Sequence, residues 1–207
     1  MTNLQKRILT SLIVLPLSII FVMKGGYFLA FFLIFILFSG IHELFSVFKK
    51  IKSILFLSLI LILSLYSIYY LREKAVMFLY LAIAVSISSD IGGYVFGKIF
   101  KWKKLTKISP KKTISGVFGS YFLSIICLFI FFETYSTGTQ VTFRAFLITI
   151  IFSTIAQIGD LTISYLKRLE KIKDTGKILP GHGGIFDRID GLMFVVILAF
   201  IIHFFSI

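Results

Sequence analysis

Apolar residues run almost unbroken through seven stretches of the chain, at 8–23, 27–48, 54–71, 75–97, 114–132, 144–166 and 191–207, separated by short segments rich in Lys, Gly, Ser and Asp. A membrane-crossing helix needs about 20 mostly apolar residues, so each stretch predicts one span. The stretches are apolar all round and show no one-sided stripe, the pattern of helices that meet lipid or other helices rather than water. The expectation is an all-α, polytopic integral membrane helical bundle of about seven transmembrane helices. Lys6 and Arg7 before the first stretch resemble the start of a secretory signal, but Met23-Lys24-Gly25-Gly26 is a poor cleavage site and a second span follows at once, so the first stretch reads as a permanent helix. A separate soluble domain has no room, and 1–207 reads as one membrane domain, with N-terminal helices over 1–74 and a catalytic core over 75–207.

Composition supports this plan. Of 207 residues 58% are hydrophobic and 15% charged, against about 45–50% and about 25% in soluble domains. The net charge of +13 would suggest nucleic acid in a soluble chain. Here it follows topology instead: with the N-terminus inside, 18 Lys and Arg fall on the cytoplasmic side and 4 outside, the asymmetry that orients an odd number of spans N-in and C-out. No nucleic-acid partner is expected, and membrane lipids are. The single cysteine, Cys127, excludes an intramolecular disulfide and a cysteine metal cluster. No Gly-x-Ser-x-Gly, Walker-type Gly-Lys-Ser/Thr or Cys-x-x-Cys pattern is present, which removes the usual support for a serine hydrolase, a P-loop ATPase or a thiol redox enzyme.

Two segments carry more chemistry than orientation needs. In the first, Asp90 lies within a span and shares a helical face with Tyr94 and Lys98. A carboxylate at that depth is costly and marks a functional position or a helix-packing contact. Downstream, Pro110 ends any preceding helix, and Lys111-Lys112-Thr113 leads into the next, where free N–H groups favour an anion. In the second segment Asp160, Ser164, Lys167 and Arg168 fall at i, i+4, i+7 and i+8, one stripe running toward the cytoplasmic loop that holds Lys173. Pro180-Gly181-His182-Gly183-Gly184 follows; its small residues permit close backbone approach to a ligand, or form a plain tight turn. Asp187 and Asp190 then stand one turn apart at the mouth of the last span, with Arg188 between them. Hard oxygen ligands of this kind suit magnesium, which commonly takes one or two carboxylates plus substrate phosphate oxygens. Glu43, alone in the second stretch, reads equally as a cavity acid or as a hydrogen-bonded interior residue.

From Ser164 to Asp190, Ser-x-x-Lys-Arg, four residues, Lys-Asp, then Leu-Pro-Gly-His-Gly-Gly-x-x-Asp-Arg-x-Asp resembles the signature of the phosphatidate cytidylyltransferase, or CDP-diacylglycerol synthase, family. Ser89-Asp90 through Gly97-Lys98, and Ser109-Pro110-Lys111-Lys112-Thr113, resemble its upstream block, so the likeness is strong over 86–191 and looser over 4–48. It implies a membrane enzyme that joins CTP and phosphatidic acid into CDP-diacylglycerol and pyrophosphate with Mg²⁺, with room for a monovalent cation such as K⁺, and that forms a homodimer. Carried onto this chain, the expected catalytic residues are Asp160, Asp187, Lys167 and Arg168. The substrate-binding set is Lys111, Lys112, Ser164, Lys173, Gly181, His182, Gly183, Gly184 and Arg188, and the metal set is Asp160, Asp187, Asp90 and Asp190. The expected location is a bacterial inner (plasma) membrane, crossed several times, with the active site facing the cytoplasm. Two positions depart from many bacterial relatives: Ser115 and Ile163 stand where those carry Glu. The rival readings are another CTP-dependent enzyme acting on a different membrane lipid phosphate or a polyprenol, and an anion transporter. A transporter would spread polar residues through several spans, whereas here they gather at one face.

Overall fold

The computed structural model describes residues 3–106, 108–135, 140–176 and 183–205. It consists of seven helices, α1 (Asn3–Lys24), α2 (Gly26–Val47), α3 (Ile51–Lys74), α4 (Val76–Phe100), α5 (Ile114–Tyr135), α6 (Phe143–Leu169) and α7 (Phe186–Phe205). Among the described residues no strand occurs beyond one isolated antiparallel bridge, Lys104 to Thr113. Six helices, α2 to α7, are long and apolar enough to cross a membrane. The chain is therefore a polytopic all-α membrane protein, and α1 encloses the remaining expected stretch. The last helix starts at Phe186 rather than at 191. Asp187 and Asp190 are thus helical residues, not the approach to a helix.

The chain separates into two compact units, Met1–Ala75 with Leu166–Ile189, and Val76–Tyr165 with Asp190–Ile207.

In the first unit, α2 and α3 bury Leu29, Leu33, Leu44, Leu57, Leu61 and Leu65. Phe21 of α1 stacks on Phe32 of α2 at 4.9 Å. The exposed carbonyls at the end of α1 are met by Arg72, whose Nε and Nη2 donate to Val22 and Met23 oxygens at 2.6 and 2.5 Å. Lys50 caps α3 without a side-chain hydrogen bond. Its orphan donors are served from far away: the Glu170 carboxylate accepts the Lys49 and Lys50 N–H groups at 3.1 and 3.2 Å and the Ser53 hydroxyl at 3.0 Å. Desolvation raises the Glu170 pKa, but these hydrogen bonds outweigh it and hold the carboxyl below its ordinary value. The lowered pKa means that this stabilisation is complete above the ordinary carboxylate range and is lost as pH falls through the Glu170 pKa. Glu170→Ala should accordingly lower the thermal midpoint in detergent at neutral pH, and the difference from wild type should shrink once both are measured well below the carboxylate range.

The second unit depends on small residues. Helices α4 and α5 approach so closely that a Cβ on Gly92 would strike the Gly119 carbonyl, and one on Gly119 would strike Phe96 and the Gly92 carbonyl. Without water to drive apolar burial, helices in a bilayer associate through such close packing and interhelical hydrogen bonds. Ser120 donates to the Ser89 carbonyl at 2.7 Å, Ser89 and Ser153 hydroxyls meet at 3.0 Å, and Tyr121 meets Thr154 at 3.0 Å, tying α4, α5 and α6 together. On α6 and α7, Gly159 faces Phe194, and Gly191 faces the Ala156 carbonyl. Gly119→Leu should overpack the α4–α5 seam by about 1–3 kcal/mol or more. The expected readout is a lower thermal midpoint and earlier aggregation of the purified protein in detergent than for the wild type.

Candidate functional site

Within the second unit the polar groups converge on Asp160 of α6. The 101–113 loop brings Lys112 to it. Lys101 turns the chain with φ 51°, and the loop then doubles back on itself. Leu105 N–H donates to the Lys112 carbonyl at 2.8 Å, Lys112 N–H to the Ser109 carbonyl at 3.0 Å, and Ile114 N–H to the Lys103 carbonyl at 3.0 Å. The Lys112 backbone is thereby held in both directions, and its Nζ stands 2.5 Å from Asp160 Oδ2 and 3.4 Å from the Gln157 carbonyl. One turn along α6, the Ser164 hydroxyl donates to Asp160 Oδ1 at 3.4 Å. Asp90 of α4 is electrostatically coupled to Asp160 and Lys112, and Asp190 of α7 to Asp160 and Asp90. Asp90, Asp160 and Asp190 thus act on one another electrostatically, with Lys112 paired to Asp160, in a unit otherwise built from apolar helices. Asp90 is exposed and Asp160 and Asp190 are half-buried. Lys98, expected on the Asp90 face, lies over the Tyr94 ring at 5.8 Å.

The first unit holds a second constellation, around Asp187. Helix α6 ends in a Schellman motif: Ile172 N–H donates to the Lys167 carbonyl and Lys171 N–H to the Arg168 carbonyl, both at 3.0 Å, with Lys171 at φ 57°. Arg168 closes the turn by donating Nη1 to the Ile172 carbonyl at 3.1 Å. The Lys167 ammonium then reaches Asp187 Oδ1 at 2.7 Å, and the two side chains are only 11% and 9% exposed. Asp187 Oδ2 accepts the Thr175 N–H at 2.8 Å, the Thr175 hydroxyl at 3.1 Å and the Gly184 N–H at 3.1 Å. Behind them lies Glu43 of α2, 1% exposed, whose Oε2 accepts the Ile185 N–H at 2.7 Å and whose Oε1 accepts the Phe186 N–H at 3.4 Å.

The structure thus divides the expected residues. Asp90, Lys112, Asp160, Ser164 and Asp190 form one group, and Lys167, Asp187 and Gly184 form the other. Lys111, Lys173 and Arg188 are exposed. Arg168 serves as a turn-closing group at the end of α6. Gly181 and His182 lie outside the described residues. The glycines do allow close approach, but to carboxylates of the chain itself: a Cβ on Gly183, at φ 88°, would crowd Asp187 Oδ2, and one on Gly184 would strike Glu43 and Thr175. Glu43 and Thr175 were not among the expected site residues. Glu43 left a trace in the sequence as an acid inside an apolar stretch, whereas a lone Thr in a loop carries no signal.

Residues 48–206 match the model of the cytidylyltransferase family, well over half of the chain. The chain belongs to the cytidylyltransferase family. Among curated relatives, the phosphatidate cytidylyltransferase of Staphylococcus epidermidis is 38% identical over 129 residues, which is 62% of this chain and 49% of the relative. Those of Staphylococcus haemolyticus and Staphylococcus aureus are 40% and 38% identical over 131 residues, with the same coverage of each chain. The chain spans about half the length of the curated relatives it matches.

Proposed function

We propose that the chain transfers CMP from CTP to phosphatidic acid, giving CDP-diacylglycerol and pyrophosphate. The observation that carries the reading is the pairing of acids with lysines on α6 and α7, Lys112 with Asp160 and Lys167 with Asp187, in a polytopic member of a cytidylyltransferase family. The names of the staphylococcal relatives supply the lipid substrate.

In this scheme a phosphatidate oxygen attacks the α-phosphorus of CTP, a new P–O bond forms, and the bond to the β-phosphate breaks as pyrophosphate departs. Such a transfer needs positioning and charge neutralisation more than a protein nucleophile. Lys112 and Lys167 are the ammonium groups for the phosphates, and each is held in advance by a carboxylate that fixes where the charge stands. Lys111, next to Lys112 in the chain, adds exposed positive charge in the second unit, Lys173 and Arg188 add it in the first, and Ser164 orients Asp160. Phosphatidate is ionised at neutral pH, so no general base is required.

The donor chemistry fits magnesium. Three carboxyl groups against one lysine in the Asp90, Asp160 and Asp190 cluster leave surplus negative charge to be neutralised. Among the described residues no group of three His, Cys, Asp or Glu is arranged to hold a metal ion by itself; magnesium takes one or two carboxylates and completes its shell with phosphate and water oxygens. Within the second unit Asp160, Asp90 and Asp190 would supply the carboxylates, and Asp187 is the candidate acid of the first unit. When bound, the ion would offset the negative charge that develops on the leaving pyrophosphate. A monovalent cation such as K⁺, and a homodimer, are part of the same proposal. So are an inner-membrane location and an active site on the cytoplasmic side, supported by the excess of Lys and Arg expected there.

The test is incubation of the purified protein in liposomes with cytidine-labelled CTP, Mg²⁺ and phosphatidate. Labelled CDP-diacylglycerol and pyrophosphate in equal amounts are expected. Label entering a polyprenol or another lipid phosphate, but not phosphatidate, would favour the related lipid enzyme instead.

A further inference from the structure

Glu43 is almost fully buried, and nothing in the transfer scheme above uses it. Yet its carboxylate holds the backbone just after Gly184 and lies within reach of Thr175, and Gly184 and Thr175 are two of the groups that bind Asp187. Oε2 and Oε1 take the N–H groups of Ile185 and Phe186, the donors left unsatisfied at the start of α7. The Thr175 hydroxyl is in hydrogen-bonding reach of Glu43 as well as donating to Asp187 Oδ2. A hydroxyl has one proton, so Thr175 donates to one of the two carboxyl groups at a time while standing within reach of both. Gly176 and Gly184 leave the room Glu43 needs: a Cβ on Gly176 would stand 3.0 Å from its Cδ, and one on Gly184 would strike Oε1.

We propose that Glu43 is the positioning residue of this site: from α2 it holds Thr175 and the Gly184–Phe186 turn, and through them aims the Asp187 carboxylate at Lys167. The role rests on the reading of Asp187 as part of the cytidylyl-transfer site. It requires hydrogen-bond acceptance at the carboxyl oxygens, not contact with substrate. A glutamine keeps one acceptor oxygen and the shape of the side chain, while alanine keeps neither.

The experiment compares Glu43→Gln and Glu43→Ala in two readouts on the folded, purified protein. The first is kcat and KM for CTP with phosphatidate; the second is amide hydrogen exchange of Thr175, Ile185 and Phe186. Glu43→Ala should lower kcat about a hundredfold, the scale of loss when a reacting group is misplaced by about 1 Å, with KM for CTP little changed. The Ile185 and Phe186 amides, which lose their acceptor, should exchange at least about tenfold faster, and the Thr175 amide should follow as Asp187 shifts. Glu43→Gln, with one acceptor oxygen left, should retain about a fifth or more of kcat and keep slow exchange at one of Ile185 and Phe186. If Glu43→Gln loses as much kcat as Glu43→Ala, the charge of Glu43 itself takes part and the positioning role is wrong. Unchanged exchange in Glu43→Ala overturns it as well. Should Glu43→Ala not fold, Gly176→Ala carries the same test, because the three atoms nearest its methyl would be Glu43 Cδ, Cγ and Oε2, at 3.0, 3.0 and 3.2 Å. A wild-type protein that makes no CDP-diacylglycerol would sink the proposed reaction while the exchange readout still decides the role of Glu43.

Discussion

Asp160→Asn is expected to lower turnover about a thousandfold or more at unchanged amounts of folded protein. The carboxylate does three things at once: it pairs with Lys112 at 2.5 Å, receives Ser164 and stands in the cluster with Asp90 and Asp190. Asparagine has nearly the same shape but no charge, so Lys112 would lose the anion that fixes it and the cluster would lose a hard ligand. Removing one preorganised electrostatic group commonly costs about a hundredfold to a thousandfold, and losing a metal ligand with it adds to that. A thousandfold corresponds to about 4 kcal/mol of barrier. Because the Lys112–Asp160 pair is about a quarter exposed, at 23% and 28%, the stability cost should be small by comparison. The measurement is the initial rate at saturating CTP and phosphatidate in mixed micelles, with size-exclusion chromatography to count folded protein. A rate within about tenfold of wild type would remove Asp160 from the site.

Asp187→Asn should abolish turnover as well, but here stability should fall too. The Lys167–Asp187 pair is nearly buried, and breaking such a pair from one side leaves an uncompensated charge, at a cost of about 3–5 kcal/mol. The amide can still accept the N–H groups of Thr175 and Gly184, yet its own N–H₂ has no partner in Lys167. Replacing Lys167 as well removes the uncompensated charge, which is the main cost of breaking a buried pair from one side. The double variant Lys167→Met with Asp187→Asn should therefore recover most of the thermal stability lost in Asp187→Asn and none of its activity. Thermal unfolding in detergent and the same rate assay check both halves. Recovery of activity with stability would mean that the pair is only structural.

The two positions where many bacterial relatives carry Glu acquire a physical explanation. Ile163 is wholly buried, and Ser115 is 3% exposed with its hydroxyl 3.0 Å from Thr113. In this chain Ile163 adds to the buried packing and Ser115 to local hydrogen bonding. Phosphatidate brings its own ionised oxygen to the proposed reaction, which needs no base from either place.

The sequence by itself determined the fold class, the approximate limits of all seven helices and the identity of the acids and lysines. Long apolar runs leave no alternative to helices in a bilayer, and ionisable groups inside them are too costly to be incidental. It could not determine which acid pairs with which lysine. Asp160 and Lys167 lie on one helical stripe, and Asp187 and Asp190 are one turn apart, so spacing alone favours grouping them together. The tertiary structure assigned them differently, because a side chain's partner depends on backbone brought in from distant parts of the chain. The folded 101–113 loop delivers Lys112 to Asp160, and the Schellman turn after α6 directs Lys167 to Asp187. The early start of α7 was illegible for the same reason. Its first N–H groups are satisfied by Glu43, 142 and 143 positions away, and no local capping pattern records an acceptor supplied from another helix.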